Sequence, residues 1–128
     1  MPLYTAIMER GAHMLRKRND VAAREIHDLH SGKGTIYSYD FLSPEELCNK
    51  GRLFSRTVLP AGASIGMHTH KGEFEAYYVI SGTGVVNDGT RDYVVEPGDV
   101  YYCENGGSHQ LTNDGAEELA ILAVILYA

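Results

Sequence analysis

Residues 62–82, GASIGMHTHKGEFEAYYVISG, contain the pattern that decides the predicted fold and site. His68 and His70 are two positions apart, so in a β-strand both imidazoles project from one face, with α-carbons about 6.5–7 Å apart. Lys71-Gly72-Glu73 can then reverse the chain, and the next strand begins near Glu75. Two imidazoles beside one carboxylate form a ligand pattern of non-haem metal sites. The stretch therefore predicts a metal centre built between two strands.

The chain outside this stretch consists mostly of short runs rich in β-branched and aromatic residues. Strands are predicted over residues 35–41, 52–59, 74–80, 84–86, 91–95, 99–103 and 119–126. Glycine-containing turn signals separate these runs at intervals of about ten residues. Asp88-Gly89 gives the clearest hairpin signal, because glycine supplies the positive φ that tight hairpin turns need. This spacing predicts an all-β sandwich or barrel.

Two segments nearer the amino terminus have a different pattern. Residues 21–29 place apolar side chains at helical spacing, although a short strand over 24–29 fits almost as well, so both alternatives stay open. Ser43-Pro44-Glu45-Glu46 has the capping-box arrangement, with proline at the first helical position. We expect a helix of one or two turns there, ending near residues 49–51.

Length and charge limit the classes of protein that the chain can belong to. With 128 residues the chain is expected to form one domain over 14–128, and residues 1–13 are expected to be a flexible leader, either native or left by a cloning vector. The net charge of −6 argues against a nucleic-acid partner, which would require a clustered basic surface. The longest apolar run, 119–128, has about half the length of a bilayer-spanning helix, and no secretory signal is recognised. We therefore expect a cytoplasmic protein without a membrane partner and with two free cysteines.

Two motifs together resemble those of the cupins. The first, Gly62-x5-His68-x-His70-x4-Glu75-x6-Gly82, matches at every specified position. The second is matched by Gly98-x7-Gly106-x2-His109-x3-Asn113, with Glu104 where that family usually has proline. The resemblance extends from residue 53 to about residue 126 and indicates a small single-domain cupin of the type-2 kind.

The resemblance implies a jelly-roll β-barrel whose metal ligands are His68, His70, Glu75 and His109. In this family the cofactor is one divalent metal, typically Mn, Fe, Ni, Co or Zn. Three imidazoles and one carboxylate leave about two positions of an octahedral ion for a ligand. Because one carboxylate leaves a formal charge near +1, the centre would attract small oxygen-rich anions.

Further residues are weaker candidates for a role at the centre. Tyr77 shares the predicted strand face of Glu75, so its phenol is the candidate catalytic hydrogen-bonding partner, with core packing as the alternative. Arg52 and Arg56 share one face of their predicted strand and could hold a carboxylate of a substrate, with a solvated or interface position as the alternative. Glu73 and Glu104 are only nominal candidates for a mobile acid.

Other groups are assigned structural or surface positions. His13, His27 and His30 match neither motif and are expected at the surface. Asn113 is expected to act in a turn. Cys103 is placed by the sequence just before the second motif, and nothing near it in sequence would activate the thiol.

The favoured function is that of a metal-dependent enzyme acting on a small oxygen-rich metabolite, namely a carboxylate, sugar or enol. Dioxygenase, decarboxylase, isomerase and lyase chemistry all stay open. The alternative is a cupin that binds or senses a small ligand without catalysis. A homodimer is also expected, because the apolar strand 119–126 and the long amino-terminal arm offer more apolar edge than a small barrel can hide, and unpaired strand edges are costly to expose.

Overall fold

The computed structural model describes residues 13–128, so the expected leader lies outside the described residues except for His13. The described chain is almost entirely β and forms ten strands. The strands are β1 Ala23–His27, β2 Thr35–Asp40, β3 Gly51–Leu59, β4 Ser64–Thr69, β5 Glu73–Ser81, β6 Gly84–Asn87, β7 Asp92–Val95, β8 Val100–Cys103, β9 Ser108–Thr112 and β10 Leu119–Tyr127. Within residues 13–128, no helix is long and apolar enough to cross a membrane.

The strands form two antiparallel sheets. The larger sheet has the order β1-β2-β3-β10-β5-β8, and the smaller has the order β4-β9-β6-β7. The core contains inward-facing residues of both sheets, among them Val79 and Ile121 from the larger and Val86 and Leu111 from the smaller. Two sheets that share one apolar core form the predicted jelly-roll barrel.

The predicted strands and the predicted hairpin are present, with small shifts at their ends. The undecided segment 21–29 contains strand β1, paired with β2. The hairpin joins β6 to β7 through residues 88–91, and Gly89 has the expected positive φ of 93°. Strands β4 and β9 carry His68 and His109, and the predicted metal site requires both strands, but the sequence pattern did not define where they begin and end.

The predicted helix at residue 43 does not form, although its capping box does. Glu46 N–H donates to Ser43 Oγ at 3.1 Å, and Ser43 N–H donates to Glu46 Oε1 at 2.8 Å. Cys48 and Asn49 then adopt left-handed conformations, with φ of 56° and 55°. The segment therefore ends after a single turn, which is closed by Leu47 N–H donating to Ser43 O at 2.9 Å, and no regular helix develops. The short helical turns of the described chain are the 3-10 turns Arg18–Asp20 and Leu29–Ser31.

The expectation that strand 119–126 provides an exposed edge for a homodimer was wrong. Strand β10 pairs with β3 on one side and with β5 on the other, so it lies inside the larger sheet and has no free edge. The strands at the ends of that sheet are β1 and β8.

A β-bulge in β4 turns the two motif histidines toward the core. Ile65 pairs with Leu111, and His68 pairs with His109, but the register shifts between these two pairs. Ala63 and Ile65 face inward at odd positions, whereas His70 is buried at an even position. The bulge adds one residue to β4, so the inward-facing positions change from odd to even numbers. Strict alternation along the strand would not allow this change.

Asn113 joins the loops at the end of the barrel, as the turn assignment predicted. Its fully buried amide group donates to Leu59 O at 2.9 Å and to Glu117 O at 2.8 Å, and Oδ1 accepts from Gly115 N–H at 3.0 Å. The side chain therefore connects the end of β3 to the loop that precedes β10.

We predict that Asn113→Ala lowers the free energy of unfolding by about 2–4 kcal/mol, because buried backbone groups lose their partners. Chemical denaturation measures this change. The matched control is Asn87→Ala, whose hydrogen bonds are at the exposed hairpin, and it should cost less than about 1 kcal/mol. Equal losses in the two variants would contradict a special role for Asn113.

Candidate metal centre

The structure brings the four predicted ligands together from both sheets. His68 and His109 lie opposite each other on β4 and β9 of the smaller sheet, and Glu75 comes from β5 of the larger sheet. His70 follows directly after β4. One nitrogen or oxygen atom from each of the four side chains lies within 4.8 Å of those from the other three. The group could therefore hold one metal ion.

Hydrogen bonds orient two of the imidazole rings. His68 Nδ1 lies 2.7 Å from Gly66 O, and because a carbonyl only accepts, Nδ1 carries the proton. His70 Nδ1 similarly donates to Glu73 Oε2 at 2.5 Å. In a neutral ring the other nitrogen, Nε2, is then left with a free lone pair. This is the tautomer that a metal ligand requires.

Stacking holds the third ring. The His109 ring is nearly parallel to those of Tyr77 and Tyr101, with centroid distances of 5.4 and 5.8 Å. His109 Nδ1 is buried and has no hydrogen-bond partner among the described residues. Aromatic packing, rather than a second hydrogen bond, therefore fixes the direction of Nε2.

The spacing of the donor atoms fits a divalent cation. His70 Nε2 is 3.1 Å from both Glu75 Oε1 and His109 Nε2, and His109 Nε2 is 3.0 Å from Glu75 Oε1. Two atoms that each lie about 2.1 Å from one ion at a right angle are about 3.0 Å apart. A single proton can join only two of these atoms, whereas a cation can satisfy all of them.

The electrostatics of the centre also favour positive charge. Burial alone would oppose ionisation of Glu75, but hydrogen bonds with His109 and His70 hold its pKa below the usual range. The hydrogen bond with Glu75 raises the pKa of His70. Burial lowers the pKa of His68 to about 4, so that ring is neutral at pH 7 and available as a ligand.

A chain of charged contacts extends outward from His70. Arg52 Nε and Nη2 each donate to the Glu73 carboxylate at 2.8 Å, and that carboxylate accepts from His70. The Arg52 contact, followed by that of His70, lowers the pKa of Glu73 to about 2. Glu73 is therefore a fixed carboxylate that orients His70 and cannot be the mobile acid considered from the sequence. Glu104 is exposed and does not line the cavity beside the cluster.

The sequence prediction missed the position of His30. His13, His27 and His30 are all exposed, as predicted. However, the His30 ring stacks on His68 with a centroid distance of 4.1 Å and lines the cavity beside the cluster. Its position depends on residues 28, 30 and 31, which all have positive φ. No periodic pattern signals such a turn, so the sequence held no clue to this contact.

Tyr77 and Cys103 are both buried near Glu75. Tyr77 lines the cavity, and burial followed by the charge of Glu75 raises the pKa of its phenol well above the usual value. Cys103 pairs with Glu75 across the β5–β8 ladder, and burial raises the pKa of its thiol to about 11. The phenol and the thiol therefore both keep their protons at pH 7.

Comparisons with known proteins agree with this fold and site. The Cupin domain family matches residues 55–125. The "Oxalate-binding protein" of Thermotoga maritima is 40% identical over 119 residues, which cover 93% of this chain and 98% of that protein. The chain therefore belongs to the cupin family.

Solved structures show the same architecture. A crystal structure of a predicted oxalate decarboxylase from Thermotoga maritima has a TM-score of 0.86 and 39% identity, covering 90% of this chain and 100% of that one. KdgF from Halomonas sp. has a TM-score of 0.72 at 13% identity, covering 91% and 96% of the two chains. The second likeness concerns the fold alone.

We predict that Glu73→Gln weakens divalent-metal affinity about 10- to 100-fold, because His70 loses its charged hydrogen-bond acceptor. Titration with Zn²⁺ or Mn²⁺ measures the change. The control, Glu104→Gln, removes an exposed carboxylate and should leave affinity unchanged. Equal affinity in the parent protein and Glu73→Gln would exclude the positioning role.

Proposed function

We propose that this chain binds a small carboxylate of the oxalate class at a divalent metal held by His68, His70, Glu75 and His109. The observation that carries the proposal is the convergence of these four side chains, three of which, His68, His70 and Glu75, line a cavity. The relatives named for oxalate binding and predicted oxalate decarboxylation support this class of ligand. Such a metal, when bound, would supply Lewis-acid attraction for anionic oxygen atoms.

The chain's own residues would prepare the centre for an anion. Three neutral imidazoles and one carboxylate leave a divalent ion with a formal charge near +1. Gly66 O and the Glu73 carboxylate hold two of the rings in the binding tautomer. Because these hydrogen bonds already hold the rings in this orientation, metal binding costs little free energy of reorganisation.

Catalytic turnover is the second candidate, and one observation favours it. Tyr77 is fully buried, lines the cavity and keeps its proton at pH 7. Its phenol could donate a hydrogen bond to a bound acid. Since Glu73 is fixed by Arg52, Tyr77 is the proton-bearing cavity residue best suited to this role.

We also propose a homodimer that forms through the outer face of β5 and β8 and not through β10. Tyr78, Ile80, Val100 and Tyr102 form an exposed apolar patch on the outer face of β5 and β8. Strand β8 is also an end strand of the larger sheet. An end strand beside an apolar patch can pair with the same strand of a second copy around a two-fold axis.

The binding proposal predicts that metal-loaded protein binds oxalate and that chelator-treated protein does not. His68→Ala should lose both metal and oxalate binding, because one of four ligands is removed. Elemental analysis and calorimetry measure the two effects. His27→Ala, which changes an exposed histidine outside the cluster, is the control. Full metal content in His68→Ala would contradict the assignment of that ligand.

If turnover of a carboxylate is found, Tyr77→Phe should lower it by about 10²-fold while leaving metal content unchanged. The ring and its packing are kept, and only the hydroxyl is lost. The rate is measured as disappearance of the acid. Cys48→Ala, at an exposed thiol, should keep the parent rate. Equal turnover by Tyr77→Phe and the parent would leave Tyr77 as a packing residue.

The dimer proposal predicts that Val100→Glu halves the mass seen by light scattering. Val94→Glu is a closely matched control, because Val94 and Val100 are 75% and 71% exposed but lie on different sheets. The control should keep the dimeric mass. A parent protein with the mass of one chain at all concentrations would exclude the dimer.

A further inference from the structure

The cavity beside the cluster has an aliphatic interior. It has a volume of about 150 Å³, with His68, His70 and Glu75 at one end. Most of its remaining wall is hydrocarbon, supplied by Ile26, Leu29, Ile36, Ile65, Ile121 and Ile125. A ligand held at the polar end must therefore place its other end against apolar carbon.

The two arginines in the wall are already paired with acids. Arg24 donates to both oxygens of Asp40, at 2.9 and 3.2 Å. Arg52 donates to both oxygens of Glu73, at 2.8 Å each. Among the described residues that line the cavity, these are the only lysine or arginine side chains. The wall therefore offers no unpaired guanidinium for a second carboxylate group.

Apart from the Tyr77 phenol, which lies beside Glu75, the buried hydroxyl groups of the wall are also engaged. Ser38 Oγ donates to Asp40 Oδ1 at 2.8 Å, and Thr57 Oγ1 lies 2.8 Å from Ser55 Oγ. Burying a charged oxygen against apolar carbon without a partner costs several kcal/mol. An alkyl group at the same position loses nothing and gains from leaving water.

We propose that the preferred ligand is a 2-oxo or 2-hydroxy monocarboxylic acid with a short aliphatic substituent. This inference rests on the proposed function, since the carboxylate and the neighbouring oxygen of the acid would face the four-residue centre. The substituent would lie between Ile26 and the other aliphatic side chains. A cavity of about this volume admits a molecule of the size of benzene, which limits the substituent to about one to three carbons.

Calorimetry with Mn²⁺-loaded protein tests the proposal with glycolate, lactate and 2-hydroxybutyrate. These acids share one pair of chelating oxygens and differ only in hydrocarbon. Each added carbon should tighten binding about fourfold. Constant or falling affinity along the series, with oxalate still bound, would overturn the inference and leave the proposed function standing. Failure of all four acids, including oxalate, would overturn both.

Substitution of one aliphatic residue that lines the cavity provides a second test. Ile26 is partly buried on the end strand β1, where substitution disturbs the fold little. Ile26→Asn should lower affinity for 2-hydroxybutyrate about tenfold or more and leave affinity for glycolate unchanged. Glu25→Asn introduces the same residue at the exposed neighbouring position and should leave both affinities unchanged.

If Ile26→Asn fails to fold, Ile26→Ala replaces it, and the gain per added carbon should then be smaller than in the parent. A metal content equal to that of the parent protein shows that a folded variant keeps the four-residue metal centre. An unaltered series of affinities in a folded Ile26 variant would show that the aliphatic wall does not contact the ligand.

Discussion

The relative position of the two sheets follows from one buried charge, the ionised Glu75 carboxylate, which lies between them. A buried carboxylate is tolerated only when partners compensate for the lost hydration. Its partners, His70 and His109, come from outside its own sheet. The barrel must therefore close with its sheets in one relative position, because any other would leave this charge unpaired inside an apolar core.

Local features bring the partners to Glu75. The bulge in β4 reverses strand parity, and Gly66 within it lies so close to the His30 backbone that a Cβ there would be 2.0 Å from His30 O. The two motifs are also joined directly, since His70 N–H donates to Gly107 O and Gly106 N–H donates to His70 O. The site is therefore assembled by backbone contacts as much as by side chains.

The sequence predicted the features that depend on local pattern. Alternation placed Glu75 and Tyr77 on one buried face, and the hairpin at Asp88-Gly89 formed as expected. Features that depend on tertiary packing were not predictable. The apolar composition of β10 is compatible with an inner strand as well as with an exposed edge strand. Arg52 and Glu73 are 21 residues apart in sequence, and their hydrogen bond forms only in the folded chain.

Anomalous X-ray diffraction from crystals of the metal-loaded protein would locate the ion relative to the four side chains. We expect one anomalous peak inside the barrel, about 2.0–2.3 Å from a nitrogen or oxygen atom of each of His68, His70, Glu75 and His109. An ion bound elsewhere, with these four side chains still in contact only with one another at saturating metal, would contradict it.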